Sequence, residues 1–165
     1  MTIMKQKTGI HGGFKHALIL SLCLIMPFVA AGAQDNNGKA DSILGKYLVV
    51  HEAEESKVEV TRQPDGTYRA QMYWVKNAYD KDGKKRTDEK NPDKSMRNTP
   101  CDEIVLFWDL RYNAEKHRWE KGKVYDPLRG IKANLSATID KSGDLLIRGS
   151  LMGFSQTVVW KPLDE

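Results

Sequence analysis

Residues that could act as nucleophiles or metal ligands are few and scattered in this 165-residue chain. Beyond residue 33 there is one cysteine, Cys101, and two histidines, His51 and His117. A nucleophilic Cys101–His117 pair would need a third group to orient the imidazole, and nothing in the sequence supplies one, so we interpret Cys101 as a small packed residue. HExxH, CxxC and clustered histidines do not occur, which argues against a catalytic zinc site.

The segment DKDG, Asp80 to Gly83, resembles half of a calcium-binding loop. It lacks the third acidic position and the terminal glutamate, and lysines surround it, so a solvated Asp-Gly turn is the favoured interpretation. The chain also has no GxSxG motif and no glycine-rich phosphate loop. We therefore predict a protein that is not an enzyme and that uses no metal ion and no cofactor.

The first 33 residues have the organisation of a secretory signal peptide. Lys5, Lys7 and Lys15 precede an apolar run over 17–30, and the small residues AGA follow at 31–33. The run is shorter than the ~20 residues that a membrane-spanning helix needs. We expect this segment to be cleaved, which predicts a periplasmic or secreted protein without a transmembrane anchor.

Removal of the signal segment changes the charge and the cysteine count. The whole chain carries a net charge of +4, from 26 Lys and Arg against 22 Asp and Glu, and loss of the three signal lysines leaves 23 against 22. A nearly neutral chain gives little support to nucleic-acid binding. Cys101 remains alone, so an internal disulfide is excluded, and the remaining 132 residues must form one domain around a core of their own.

Alternating apolar and polar residues predict an all-β protein. The clearest case is IKANLSATID over 131–140, and turn sequences such as PDG at 64–66 separate similar runs. About eight such strands predict an antiparallel up-and-down barrel or a sandwich, and we favour a single barrel over 44–165 after a flexible lead-in at 34–43. The long charged connection over 77–100 is the exception to the regular spacing, and loops of that length are usually functional or mobile.

The stretch RWEKGKVYDPLRG, residues 118–130, concentrates unusual residues. Trp119 and Val124 have opposite parity along a strand, and a β-bulge at Gly122, with a positive φ, would place both inside the barrel. In the DPLRG turn that follows, Asp126 can accept backbone hydrogen bonds, Pro127 restricts φ, and Gly130 occupies a position that a side chain would obstruct. Architecture therefore explains this stretch better than catalysis does.

The same stretch carries a family resemblance. GKVYDPLRG, preceded by Trp119, resembles the signature of a family of small exported bacterial proteins known as domain of unknown function 2147. Further matching segments are NPD at 91–93, MRNTP at 96–100, LLIRGS at 145–150 and SQTVVW at 155–160, and the likeness covers 45 to about 163. The family resembles lipocalin-like, calycin-type barrels, so the resemblance implies that fold and an exported location, but no reaction.

Two departures from the family pattern concern candidate site residues. Tyr47 stands where the family often has a tryptophan in the first strand. Phe154 and Ser155 replace the usual Gly-Arg pair, so a family site that used this arginine would be altered here.

Aromatic residues on different strands are the candidate ligand-binding set. In TYRAQMYWVK, over 67–76, alternation places Tyr68 and Trp74 on one face. Such aromatics either line a cavity or simply pack the core. Arg148 is either exposed or projects into a polar barrel mouth, where it would hold an anionic group. The full candidate set is Tyr68, Trp74, Trp108, Trp119, Tyr125, Arg148 and Trp160.

Two functions fit these features. The first is a barrel that binds a small apolar or amphipathic ligand in the bacterial envelope. The second is a filled barrel that acts as a protein-interaction module through the 77–100 loop. A sealed interior would favour the module, and a cavity of a few hundred Å³ would favour the binder.

Overall fold

Eight antiparallel strands form one closed barrel in which every strand pairs with its neighbours in the chain. The computed structural model describes residues 36–164; the predicted signal peptide over 1–33 lies outside them. The last strand pairs with the first, so the topology is up-and-down and the predicted fold is confirmed. The strands are β1 (Gly45–His51), β2 (Glu54–Arg62), β3 (Tyr68–Val75), β4 (Val105–Asn113), β5 (Arg118–Asp126), β6 (Ile131–Ile139), β7 (Leu145–Leu151) and β8 (Phe154–Leu163).

The two ends of the barrel differ. At the end where β1, β3, β5 and β7 begin, which we call the closed end, a short helix α1 (Asn36–Asp41) precedes β1. Ala40 and Ile43 are buried against the barrel, and the Trp119 indole donates a hydrogen bond to the Ala40 carbonyl (3.0 Å). The opposite end, where those four strands finish, is called the open end. None of the helices over 36–164 is long and apolar enough to cross a membrane.

Helix α1 corrects the expectation of a flexible lead-in. Polar composition suggested that residues 34–43 would be unstructured, but within the described part Ile43 is fully buried. The Tyr47 hydroxyl donates to the Ile43 carbonyl (2.8 Å), and the Tyr68 hydroxyl donates to Asp41 Oδ1 (2.7 Å). A few contacts with the barrel therefore order a segment whose own sequence has no helical stripe, because tertiary packing supplies most helix stability.

β-Bulges change the direction of side chains in three strands. The pairing of β2 with β3 passes from Lys57–Trp74 to Val58–Met72, which leaves Tyr73 as an extra residue. The pairing of β3 with β4 similarly skips Leu106. Each extra residue shifts the alternation, so a face assigned on one side of a bulge does not continue beyond it.

Another bulge lies in the stretch that the sequence singled out. Between Trp119–Ala137 and Gly122–Leu135, β5 uses one residue more than β6. Trp119 belongs to the core, and Val124 lines the interior farther along, so both side chains do lie inside the barrel. The expected positive φ at Gly122 is wrong, because Lys121 takes it instead (φ 65°).

Gly122 is required for space rather than for backbone conformation. A Cβ atom there would lie 2.9 Å from Leu110 Cδ1 and 3.1 Å from Leu110 Cα. Leu110 is fully buried, so it has little room to move away. Close contact between β4 and β5 thus explains the glycine at the bulge.

Candidate functional site

A cavity of about 480 Å³ occupies the open half of the barrel. Its walls come from the finishing residues of β1, β3, β5 and β7 and from the first residues of the strands that follow them. Residues 86–88 of the long connection complete the wall. The interior is therefore not sealed, and its volume lies in the range of small-molecule sites.

One wall of the cavity is apolar. Ala133 of β6, Ile147 of β7 and Val158 of β8 face the space, and Trp160 lines it from the same side. The Trp160 ring stacks on Phe107, with centroids 5.7 Å apart, which joins this wall to the packed core. Alternation along each strand points these four side chains into the barrel, and none of them is charged.

The adjoining wall, where β1 and β2 meet at the open end, carries polar residues. His51, Glu54 and Ser56 line the cavity, and His51 pairs with Glu54 across the two strands. Ser56 is only 5% exposed. These three residues form the polar wall of the cavity.

The guanidinium of Arg86, from the long connection, neutralises part of the polar wall. Its Nη1 donates to Glu54 Oε1 (3.0 Å) and to the Asn77 carbonyl (2.9 Å). The other Glu54 oxygen, Oε2, is buried and has no hydrogen-bond partner in the part of the chain that the structure describes. An unsatisfied buried acceptor is costly, so this corner of the cavity would gain from a further donor.

A second arginine, Arg129, lies at the cavity mouth. Arg129 Nη1 donates to Asp126 Oδ2 (2.6 Å) and lies 3.1 Å from His51 Nε2, while its Nη2 donates to Glu52. The hydrogen bond and charge of Asp126, reinforced by Glu52, raise the pKa of the Arg129 guanidinium above its usual range. This arginine is thus fully engaged with carboxylates.

The DPLRG turn holds Arg129 and Asp126 at the mouth. Asp126 Oδ1 accepts from the backbone N–H groups of Leu128 (2.9 Å) and Arg129 (3.3 Å). Gly130 has a φ of 68°, and a Cβ there would lie 2.3 Å from the Lys90 carbonyl oxygen. Pro127 and Leu128 of the turn also line the cavity. The turn therefore shapes the site as well as connecting β5 to β6.

The long connection over 77–100 is fastened to the barrel by a buried carboxylate. Asp88 is 3% exposed and accepts from the Tyr125 hydroxyl (2.6 Å) and from Asn91 Nδ2 (2.6 Å). Burial, together with the hydrogen bond to Asp88, raises the pKa of Tyr125. Lys90 Nζ adds a hydrogen bond to the Leu128 carbonyl (2.6 Å). This segment is a built part of the cavity wall.

The residues considered for catalysis do not come together. Cys101 is buried beside the cavity, where desolvation raises the pKa of its thiol, whereas His117 lies in the exposed β4–β5 turn at the closed end. Asp80 Oδ1 accepts from the N–H groups of Asp82 and Lys84, both at 2.9 Å, which closes the DKDG turn on itself. Within residues 36–164, no three His, Cys, Asp or Glu side chains are placed to hold a metal ion.

Two of the seven candidate ligand-binding residues, Tyr125 and Trp160, line the cavity. Tyr68 and Trp119 are buried at the closed end, where they contact α1. Neither residue lines the cavity, and the polar group of each side chain is already hydrogen-bonded to α1.

The other three candidates lie outside the barrel interior. Trp74 is 38% exposed because the bulge at Tyr73 reverses its direction, and a lysine ammonium lies over its ring. The Trp108 ring likewise lies on the outer side of the barrel, where Lys132 Nζ is 5.7 Å from its centroid. Arg148 is exposed and donates to Ser155 Oγ (2.9 Å), so of the two alternatives left open for it, the exposed one holds.

Sequence reasoning missed the polar wall. The signal was present in β2, where the inward parity of Val58 and Val60 extends directly to Ser56 and then to Glu54. In β1, the parity of Val49 extends in the same way to His51. Polar residues at inward-facing positions of a strand indicate where the packed core ends and a solvated cavity begins.

Comparison with known proteins places this geometry in a family. Residues 45–162 match the family model described as "Uncharacterized protein conserved in bacteria (DUF2147)". The chain belongs to this family. A search of curated proteins found no match.

A solved structure gives the same architecture. It is described as "Protein HP1028 from the human pathogen Helicobacter pylori belongs to the lipocalin family", and it is similar to this chain with 26% sequence identity and a TM-score of 0.58. The similarity covers 74% of this chain and 83% of that one. The resemblance expected from the motifs is therefore confirmed, including the lipocalin-like barrel.

Proposed function

We propose that this DUF2147 protein binds a small apolar or amphipathic molecule inside its barrel. The observation that carries the proposal is the cavity of about 480 Å³, in which an apolar wall adjoins a few polar groups. Small-molecule sites combine these two properties, because apolar area supplies affinity and polar groups orient the ligand. Likeness to a protein of the lipocalin family supports the same function.

Native mass spectrometry of protein purified from its host tests the proposal directly. We expect a co-purified mass that disappears after partial unfolding and refolding. Titration of the refolded protein with a panel of lipids and fatty acids should quench or shift tryptophan fluorescence, and Trp160→Phe should abolish most of that change since this ring lines the cavity. Trp108→Phe is the matched control, because Trp108 lies outside. Absence of both a bound mass and a response would overturn the proposal.

We also propose that the protein is exported into the bacterial envelope. The basic, apolar and small-residue pattern over 1–33 supports this location. Fractionation of the host should recover the protein outside the cytoplasm, with a mature chain that begins near Gln34. Recovery of the full-length chain in the cytoplasm would contradict it.

The interaction module remains the second candidate, and the exposed half of the long connection favours it. Residues 80–84 are all exposed and strongly charged, whereas Arg86 and Asp88 belong to the cavity. Replacing Lys81, Asp82 and Lys84 with serine should therefore leave ligand binding unchanged if the protein is a binder. If the protein is an interaction module, the same variant should lose a partner that the unchanged protein captures in a pull-down.

A further inference from the structure

The charges that face the cavity favour one class of ligand head group. Three carboxylates, Glu54, Asp88 and Asp126, contribute to the lining, against the two guanidinium groups of Arg86 and Arg129. Both arginines donate to carboxylates, so neither offers an unopposed positive charge. An anionic head group that approached either arginine would also approach its acidic partner, and the two effects would largely cancel.

The polar wall contains a buried acceptor, Glu54 Oε2, that lacks a donor among the described residues. Ser56 and Glu54 occupy alternate inward positions of β2, so their side chains are about 7 Å apart along one face. Ser56 is 5% exposed and lines the cavity, and the buried Glu54 Oε2 has no hydrogen-bond partner among the described residues. A carboxylate can only accept hydrogen bonds, so the group that best completes this wall is a donor.

We infer that the cavity selects amphipathic ligands whose polar end is an uncharged or cationic hydrogen-bond donor, such as a hydroxyl or a primary ammonium, over carboxylates and phosphates. This inference rests on the proposed function and names the ligand class of that same site. The apolar wall takes the hydrocarbon part, and Glu54 with Ser56 takes the donor. The mouth carboxylates Asp126 and Glu52 repel an anion at entry.

Four probes with the same alkyl chain test the head-group preference. Dodecylamine, dodecanol, laurate and dodecyl phosphate, each below its micelle-forming concentration, compete at neutral pH for a neutral fluorescent apolar probe in the cavity. We expect the amine and the alcohol to displace it at concentrations at least ~10-fold lower than laurate and the phosphate, which corresponds to about 1.4 kcal/mol.

Substitutions in the polar wall should change this order. Glu54→Gln keeps an acceptor for Arg86 but removes the negative charge, so the amine should weaken and laurate should strengthen relative to it by at least ~5-fold. Ser56→Ala should weaken the alcohol and the amine and leave laurate unchanged. Glu55→Gln is the matched control, because Glu55 lies on the same strand and bonds Lys76 on the outer surface (3.1 Å). Circular dichroism checks that each variant is folded.

The outcomes separate this inference from the function on which it rests. If laurate or the phosphate binds best, the inference is overturned while the binding function stands. If Glu55→Gln changes the order as much as Glu54→Gln, a general charge effect replaces the polar wall as the cause. If the neutral probe and all four alkyl ligands fail to bind, the proposed function itself fails, and the inference fails with it.

Discussion

Gly122→Ala is the substitution that most directly tests the packing of β5 against β4. The added Cβ would meet the Cδ1, Cβ and Cα atoms of Leu110 at 2.9–3.1 Å. Overpacking of this kind costs about 1–3 kcal/mol. Gly122 has no positive φ, so alanine fits its backbone conformation, and the less flexible unfolded chain of the variant offsets about 0.4–1 kcal/mol of this cost. The expected net loss of unfolding free energy is about 1–2 kcal/mol.

A double-mutant cycle shows whether Leu110 is the cause. Leu110→Ala alone should cost about 2–5 kcal/mol, but together with Gly122→Ala the loss should fall short of the sum by about 1–2 kcal/mol, since truncation makes room for the new methyl group. Denaturant melts of the four proteins give these free energies. Gly143→Ala is the control, because no atom lies within 4 Å of a Cβ there and its cost should add to that of Leu110→Ala. Additivity in the Gly122 cycle would refute the steric explanation.

Three further substitutions test the fastening of the loop and the titration of single groups. Asp88→Ala should cost about 3 kcal/mol in denaturant melts, because it leaves the Tyr125 hydroxyl and a second buried donor without an acceptor; a loss below about 1 kcal/mol would show that the loop does not depend on it. Hydrogen bonds, first among them the one from Asn113, lower the pKa of Glu120 from 4.5 to about 2. The unchanged protein should therefore be more stable than Glu120→Gln above pH 4.5 and should lose this advantage as the pH falls through 2. A stability difference that does not depend on acid pH would contradict this. Burial raises the pKa of Tyr47 from 10.0 to about 12, so its contribution relative to Tyr47→Phe should be complete below pH 10 and lost as the pH rises through 12, which melts at alkaline pH can measure.

The barrel was predictable because strand alternation and turn chemistry are local properties. IKANLSATID became β6 (Ile131–Ile139), and PDG at 64–66 became the turn before β3 (Tyr68–Val75). The number of strands and the turn spacing also fit a sandwich, and it is the pairing of β8 with β1 that shows a closed barrel. The fold thus depends on information that lies within a few residues of each position.

The placement of aromatic residues was less predictable, because bulges act over longer distances. One extra residue at Tyr73 turns Trp74 outward, although four alternating positions pointed to the interior. The position of such a bulge depends on the neighbouring strand, so a single strand's pattern does not contain it. The ends of a barrel present the same difficulty: Tyr68 and Trp119 do point inward, but toward α1 and not toward the cavity. Period-two alternation separates inside from outside, and it does not separate one end of the inside from the other.

The residues on the inward face of β2 do distinguish the closed end of the barrel from the open end. From the closed end to the open end this face presents Val60, Val58, Ser56 and Glu54, with the two valines almost fully buried. A serine and then a glutamate on an inward parity are unfavourable in a packed core, because each would lose its hydration without compensation. They are favourable only where the interior opens to water or to a ligand. The change from apolar to polar along one inward face therefore locates the cavity and gives the direction in which it opens, and the same change from Val49 to His51 on β1 agrees with it.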